Sequence, residues 1–163
     1  MDKAVILAGG YGTRLAPITQ TLPKPLVQVL EKSVLEHILD NLQNLGIREV
    51  VMSTMYLREK IIDKIGNRYK DINIGYENEE IPIGTAGGAK TAALKLNLRE
   101  DENFLIVSGD GIFDFDLRGA VSFHESKSAL ATIVTYSHPK PLDYGIILSD
   151  KDGRIKRFIE KPN

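Results

Sequence analysis

The sequence predicts an α/β domain built on a mostly parallel β-sheet, on the strength of two observations. Short apolar runs alternate along the chain with segments of helical periodicity, which is the order expected of βαβ units. The 163 residues suit a single domain, residues 1–163, and 42% of them are hydrophobic, which is enough for a sizeable core. The strand candidates are residues 4–8, 49–53, 72–76, 104–108, 130–136 and 144–148.

The clearest predicted helix spans residues 34–45. Ser33 and Glu36 have the spacing of a capping box at its start, and Gly46 stands where a C-terminal cap belongs. The apolar residues that recur on one face of this helix are Val34, Leu35, Ile38, Leu39, Leu42 and Leu45.

Two further helices and a turn complete the local predictions. One helix covers about residues 57–65, and another begins around Ala86 and consists of small residues. The run "DKDG" at 150–153 predicts a turn between the last two strands. Asp116 precedes "LRGAVSFHES", which favours a role as a helix N-cap.

The composition excludes several classes of function. The net charge of −1 indicates no general affinity for nucleic acid or an anionic membrane. The chain contains no cysteine, which excludes a disulfide scaffold and a thiolate zinc site. No apolar run approaches membrane-spanning length, and "MDK" leads directly into a strand-like run without the features of a signal peptide. We expect a cytoplasmic protein without nucleic-acid or membrane partners.

A glycine-rich loop follows the first predicted strand, in the stretch "AVILAGGYGTRLAPITQTLPKPL" at 4–26. It lacks the G-x-x-x-x-G-K-[ST] pattern of a mononucleotide P-loop, and it lacks the third glycine of the dinucleotide fingerprint. Pro17, Pro23 and Pro25 prevent a regular helix from following. We therefore predict a segment that stays a loop and binds phosphates through backbone N–H groups.

Two cations accompany this loop. The Arg14 guanidinium follows the glycines and can hold two phosphate oxygens at once. Lys24 lies between two prolines, which restrict its backbone and so limit where its ammonium can reach. The combination predicts a site for a triphosphate.

The stretch "LAGGYGTRLAPITQTLPKPL" closely resembles the signature of the sugar-1-phosphate nucleotidylyltransferases, also called nucleotide-sugar pyrophosphorylases. Three further blocks resemble that family in the same order: "IPIGTAGGA" at 81–89, "VSGDGIFDFDL" at 107–117 and "DYGIILSDKDGRIKRFIEKP" at 143–162. Within the family, "VSGD" and "EKP" look most similar to mannose-1-phosphate guanylyltransferases. The resemblance implies a Rossmann-like, three-layer α/β/α fold with a mixed, mostly parallel sheet.

The resemblance also implies an activity and site residues. The reaction would transfer a nucleotidyl group from an NTP, GTP being favoured, to a sugar 1-phosphate, mannose 1-phosphate being favoured, with Mg²⁺ as cofactor. The catalytic residues would be Arg14, Lys24, Asp110 and Lys161. The nucleotide would contact Leu7, Ala8, Gly9, Gly10, Gly12, Thr13, Glu79, Gly84 and Thr85. The sugar phosphate would contact Gly145, Glu160 and Lys161.

Asp110 is the predicted magnesium ligand. It follows the predicted strand 104–108, and open α/β sheets bind ligands beyond the carboxyl ends of their strands. Its carboxylate is the hard oxygen ligand that Mg²⁺ prefers when it bridges phosphates. Asp114 and Asp116 are left out of the site.

Glu79 is the residue through which the base would be selected. A carboxylate accepts hydrogen bonds from adjacent N–H donors, which guanine offers and adenine does not in that arrangement. The run "ENEE" at 77–80 is equally what a solvated acidic surface would show. The histidines lack metal-like spacing and are predicted to lie at the surface: His37, His124 and His138.

Three alternatives remain. The substrate could be glucose 1-phosphate with a uridylyl or thymidylyl donor. The chain could be a catalytically inactive regulatory subunit of the same fold, although such a subunit would be expected to have lost the charged site residues. A nicotinamide-dependent dehydrogenase is disfavoured by the broken fingerprint.

Family members continue beyond the E-K-P segment and take a second metal-binding aspartate from there, so we expect the catalytic domain to lack its C-terminal portion. A homo-oligomer is left open.

Overall fold

The computed structural model describes residues 1–160. The chain divides into two compact units, of which the first is Met1–Phe115 and the second begins at Asp116. The strands of the first unit are β1 (Lys3–Ala8), β2 (Gln28–Val29), β3 (Lys32–Ser33), β4 (Glu49–Thr54), β5 (Arg68–Tyr69), β6 (Ile72–Asn78) and β7 (Leu105–Ser108). Its helices are α1 (Val34–Leu45), α2 (Arg58–Ile65) and α3 (Gly84–Leu94). The second unit contains α4 (Leu117–Lys127), β8 (Ile146–Ser149) and β9 (Ile155–Ile159).

The first unit is organised around a five-stranded sheet with the order β5-β6-β4-β1-β7. β1 pairs in parallel with β4 and β7, β4 pairs in parallel with β6, and β5 alone runs antiparallel to its neighbour. The predicted mixed, mostly parallel sheet is therefore confirmed. Because β1 is flanked by two parallel strands, the loops that leave β1, β4, β6 and β7 all lie at the same edge of the sheet.

Helices cover both faces of this sheet. Ala4 and Ile6 of β1 belong to the main core, to which α1 and α2 also contribute buried side chains. Val5 points to the opposite face, where it lies in a smaller cluster with Ala92 and Leu96 from α3 and the residues after it. Alternate residues of one strand thus serve two cores, and the first unit has the predicted three layers.

The local predictions for the helices hold closely. Ser33 and Glu36 form the predicted capping box on α1, and Gly46 caps its end in the left-handed conformation, with φ of 101°. The helix predicted at 57–65 is α2. The helix predicted from Ala86 begins earlier, at Gly84.

The proline-containing segment after β1 forms no α-helix. It contains three short 3₁₀ turns instead, Thr13–Leu15, Ile18–Gln20 and Lys24–Leu26. Prolines in this segment remove backbone donors and prevent the turns from merging into one helix.

In the second unit, β8 and β9 form an antiparallel hairpin that the predicted turn at 150–153 connects. Asp116 occupies the N-cap position of α4, but its side chain makes no capping hydrogen bond. The prediction of a strand at 130–136 is wrong, because the structure forms no strand in this segment. Leu130, Val134 and other apolar side chains of this segment are exposed. β-branched residues favour extended backbone, but a strand also needs a partner for its hydrogen bonds.

Among residues 1–160, no helix has the length and apolar character required to span a membrane.

Asp40 on α1 is a stabilising carboxylate whose charge is set by its neighbours. Lys32 and Lys70 donate to it at 2.5 Å each, and the Tyr69 hydroxyl donates at 3.0 Å. Partial burial opposes ionisation of Asp40, but these hydrogen bonds outweigh it and lower its pKa to about 2. Because the same group titrates near about 3.9 in an unfolded chain, its contribution is present above about pH 4 and is lost as the pH falls towards about 2.

We expect Asp40→Asn to lower the free energy of unfolding at pH 7 by about 1 kcal/mol, a modest value because both partner lysines are about half exposed. The loss should shrink at pH 3, because the Asp40 carboxyl is already mostly protonated in the unfolded chain at that pH and the stabilisation from its lowered pKa is partly lost. Urea unfolding at both pH values measures it. The matched control is Asp63→Asn, since Asp63 is exposed and has no ion pair within residues 1–160. An equal loss in both variants would contradict the assignment.

Candidate functional site

A cleft of about 440 Å³ opens in the first unit at the carboxyl edge of the sheet. It is lined by Leu7, Ala8, Gly9, Gly10, Tyr11, Gly12, Thr13, Arg14, Leu15, Lys24, Pro25, Met55, Glu79, Pro82, Gly84, Thr85, Ser108 and Asp110. All the residues predicted to contact the nucleotide line it, together with Arg14, Lys24 and Asp110. Segments far apart in the sequence therefore meet where the parallel strands end.

The glycine loop needs glycine at one position above all. Gly12 has φ of 65°, in the left-handed region, and its carbonyl accepts a hydrogen bond of 2.9 Å from the Thr19 hydroxyl. A Cβ at Gly12 would lie 3.0 Å from Thr19 Cγ2 and 3.1 Å from Lys24 Cβ. The loop thus folds back closely enough to bring Lys24 beside the glycines.

Side chains just after β4 hold the loop from outside. The Tyr56 hydroxyl donates to the Gln20 carbonyl at 3.2 Å, and the Lys60 ammonium donates to the Thr21 carbonyl. The Tyr56 ring also packs against Tyr11, with ring centroids 5.3 Å apart. These contacts fix the position of the loop relative to β4 and α2.

The two predicted cations differ in their surroundings. Arg14 is exposed in the first 3₁₀ turn and has no ion pair within residues 1–160. Lys24 is 28% exposed and donates to Asp110 at 2.6 Å. One cation is thus free to meet an anionic ligand, and the other already neutralises a carboxylate at the rim of the cleft.

Asp110 lies just beyond β7 with its side chain 43% exposed. The Ser108 hydroxyl donates to its other oxygen at 2.6 Å. Burial would raise the pKa of Asp110, but the hydrogen bonds from Lys24 and Ser108 outweigh it and hold the pKa below its usual value. Asp110 is therefore an anion over the whole physiological range.

The residues around Asp110 fit a magnesium ion that is held mainly by phosphates and water. No group of three or more His, Asp or Glu side chains in the described part of the chain could hold a metal by itself. Mg²⁺ bound to nucleotides commonly uses only one or two protein carboxylates. Asp110 is one such carboxylate at the cleft, and in this structure it pairs with the Lys24 ammonium.

Glu79 lies on the other side of the cleft, after β6. Its backbone N–H donates to the Thr54 carbonyl at 2.9 Å, and its carboxylate accepts a hydrogen bond from the Ser53 hydroxyl. The sequence left open whether Glu79 belongs to a solvated acidic surface. In the structure Glu79 is partly buried and lines the cleft, so it is not a fully solvated surface residue.

Two of the predicted sugar-phosphate residues, Gly145 and Glu160, belong to the second unit. Gly145 and Glu160 stand side by side at the open end of the hairpin, where a Cβ at Gly145 would lie 3.3 Å from Glu160 Oε2. Lys161 lies outside the described residues, so its predicted role stays a prediction. The three histidines are exposed or partly exposed, and each makes a local contact, to Val29, Thr132 and Tyr144 respectively.

Several residues of the cleft were not predicted from the sequence. They are Tyr11, Leu15, Pro25, Met55, Pro82 and Ser108. Ser108 and Met55 could have been found, because each lies at or just after the carboxyl end of a parallel strand. Ser53 beneath Glu79 had no such indication, since its strand reads as a buried apolar run.

Comparison with known proteins agrees with this architecture. The model of the nucleotidyl transferase family matches residues 3–163. The chain is 38% identical over 167 residues to the mannose-1-phosphate guanylyltransferase catalytic subunit beta of Drosophila pseudoobscura pseudoobscura. It is 37% identical over 173 residues to the UTP–glucose-1-phosphate uridylyltransferase of Synechocystis sp.. Each alignment covers 98% of this chain, but only 43% and 44% of the relative, so the chain spans less than half the length of these proteins.

A solved structure shares the fold. The crystal structure of a Bacillus anthracis protein described as a glucose-1-phosphate thymidylyltransferase superposes with a TM-score of 0.87 at 23% identity. The superposition covers 98% of this chain and 64% of that one. It confirms the predicted Rossmann-like α/β class, and the family match over almost the whole length shows that the chain belongs to the nucleotidyl transferase family.

Proposed function

We propose that the chain carries out nucleotidyl transfer from an NTP to a sugar 1-phosphate, giving an NDP-sugar and pyrophosphate. The observation that carries the proposal is the single cleft that joins the glycine loop, Arg14, Lys24 and Asp110. Backbone donors and two cations suit a triphosphate, and an ionised carboxylate beside them suits its metal. The names of the similar proteins support a sugar 1-phosphate as the acceptor.

The reaction needs positioning and charge neutralisation rather than a covalent intermediate. An oxygen of the sugar phosphate attacks the α-phosphorus in line, the bond from that phosphorus to the bridging oxygen breaks, and pyrophosphate leaves with the electron pair. The attacking oxygen is already anionic, so no general base is required. Arg14 would stabilise the charge on the leaving pyrophosphate, and Lys24 the charge on the reacting phosphates.

Asp110 would hold Mg²⁺ as one of its protein ligands. When bound, the ion would neutralise charge on the phosphates as a Lewis acid. Lys24 pairs with Asp110 at 2.6 Å at the rim of the cleft, so its ammonium is placed where it would contact a phosphate oxygen. The contacts to the sugar phosphate stay predictions for Gly145, Glu160 and Lys161.

GTP is the favoured donor and mannose 1-phosphate the favoured acceptor. Glu79 lines the cleft and offers acceptor oxygens, which suit the adjacent N–H donors of guanine. The similarity to mannose-1-phosphate guanylyltransferases supports the same pair. A glucose 1-phosphate uridylyltransferase is the second candidate, because one similar protein carries that name. A cytoplasmic location and a homo-oligomer stay predictions.

The test combines binding and turnover. Equilibrium binding of GTP, UTP, dTTP and ATP to the chain should give measurable affinity for at least one nucleotide, and crystals with the bound nucleotide should show its triphosphate over residues 9–14. Pyrophosphate release with mannose 1-phosphate and glucose 1-phosphate then identifies the acceptor. A chain that binds no nucleotide, or binds it away from this cleft, would overturn the proposal. Pyrophosphate release that depends on a sugar 1-phosphate would exclude a catalytically inactive regulatory subunit.

A further inference from the structure

Charge divides the cleft into two ends. Asp110 follows β7 and pairs with Lys24, and Arg14 follows the glycines after β1, whereas Glu79 follows β6, on the far side of β4. A carboxylate repels phosphates, so a nucleotide whose phosphates meet the cations must turn its base or ribose towards Glu79. Glu79 therefore faces the base or the ribose, which are the parts of a nucleotide that carry N–H and O–H donors.

The Glu79 carboxylate is held by a neutral donor rather than by a cation. Ser53 on β4 is 1% exposed, and its hydroxyl donates to Glu79 Oε1. Within residues 1–160, no lysine or arginine forms an ion pair with Glu79. A buried hydroxyl beneath one oxygen fixes the plane of the carboxylate while leaving its charge available to a ligand.

Gly88 of α3 provides the space in which this contact forms. A Cβ at Gly88 would overlap Glu79 Oε1 and would lie 2.9 Å from Ser53 Oγ and 3.3 Å from Glu79 Cδ. An added methyl group at Gly88 would therefore displace the end of the Glu79 side chain, and with it the carboxylate, away from Ser53. The absence of a side chain at Gly88 is thus a condition for the Ser53–Glu79 hydrogen bond.

We propose that Ser53 and Gly88 are positioning residues that fix Glu79 as the acceptor for the nucleobase and thereby set the base preference. The inference rests on the proposed nucleotide-binding function and concerns the same cleft. With Oε1 engaged by Ser53 beside Gly88, the fixed carboxylate offers Oε2 to a ligand, and this oxygen can accept from the adjacent N–H donors that guanine presents. Uracil and thymine offer a single N–H flanked by carbonyl oxygens, which a fixed carboxylate repels.

The experiment measures dissociation constants of GTP and UTP for the chain and for its variants. We expect Ser53→Ala to reduce the preference for GTP over UTP about tenfold, the scale of one hydrogen bond to a charged group. Gly88→Ala should change the preference in the same direction. In a Glu79→Ala background, Ser53→Ala should leave the ratio unchanged, because the hydroxyl then has no carboxylate to position.

A matched control separates positioning from stability. Thr54 follows Ser53 on β4, is fully buried, and its hydroxyl donates to the Glu77 carbonyl at 3.2 Å. Thr54→Val removes a comparable hydrogen bond and should lower the melting temperature without moving the GTP-to-UTP ratio. An unchanged ratio in Ser53→Ala, or an equal change in the Glu79→Ala background, would overturn the inference while leaving the proposed function intact. A wild-type chain that binds no nucleotide would instead overturn the proposed function itself.

Discussion

Replacing Arg14 with alanine is expected to lower kcat for nucleotidyl transfer at least about a hundredfold, the scale of losing one charge contact to the transition state. Arg14 is exposed, lines the cleft and has no ion pair within residues 1–160, so its charge is available to the leaving pyrophosphate. Because no described carboxylate depends on it, the melting temperature should stay within a few degrees of the wild-type value. Steady-state kinetics of pyrophosphate release measure the effect.

The matched control for this variant is Arg48→Ala. Arg48 is an exposed arginine whose weak ion pair with Asp71 has a separation of 3.9 Å, and it does not line the cleft. Its removal should leave kcat within about twofold of wild type, as for a surface substitution away from the site. Near-normal turnover of Arg14→Ala would remove this guanidinium from the mechanism.

Replacing Asp110 with asparagine is expected to have an effect at least as large. Asparagine keeps the shape, but its single amide oxygen can accept from only one of Ser108 and Lys24, which bond to different oxygens of the carboxylate. It also loses the charge that holds a divalent cation. We expect kcat to fall about a hundredfold or more, with a higher Mg²⁺ concentration needed for half-maximal rate. In EDTA, by contrast, the variant should bind GTP at least as tightly as wild type, because one negative charge near the phosphates is gone.

Asp114→Asn provides the comparison. Asp114 lies only a few residues beyond Asp110, is exposed and does not line the cleft. Its substitution should change neither the Mg²⁺ dependence nor the affinity for GTP in EDTA. If Asp110→Asn and Asp114→Asn respond to Mg²⁺ alike, Asp110 is not the metal ligand.

Local patterns in the sequence predicted much of the fold. The capping box at Ser33 and Glu36 and the apolar face of α1 are properties of neighbouring residues, and the structure keeps both. The segment 130–136 shows where local patterns are insufficient. Its β-branched residues favour extended backbone, but whether a strand forms depends on a partner that the segment itself does not encode.

The candidate site likewise contains some residues that the local sequence indicates and some contacts that it does not. Arg14 and the glycines share one short segment, and Asp110 follows a recognisable strand, so each could be singled out. The contact between Lys24 and Asp110 joins residues 86 positions apart, and no spacing rule indicates it. The support of Glu79 by Ser53 was equally hidden, because it depends on which face of β4 the hydroxyl takes and on the missing side chain at Gly88.

The anchoring of the glycine loop by Tyr56 and Lys60 has a thermodynamic consequence. Their bonds to the carbonyls of Gln20 and Thr21, with the Tyr11–Tyr56 ring contact, restrict the loop before any ligand arrives. Ordering a flexible segment on binding would cost conformational entropy, and a loop that is already ordered avoids most of that loss. Affinity for the triphosphate therefore depends in part on side chains that lie behind the loop and never touch a phosphate.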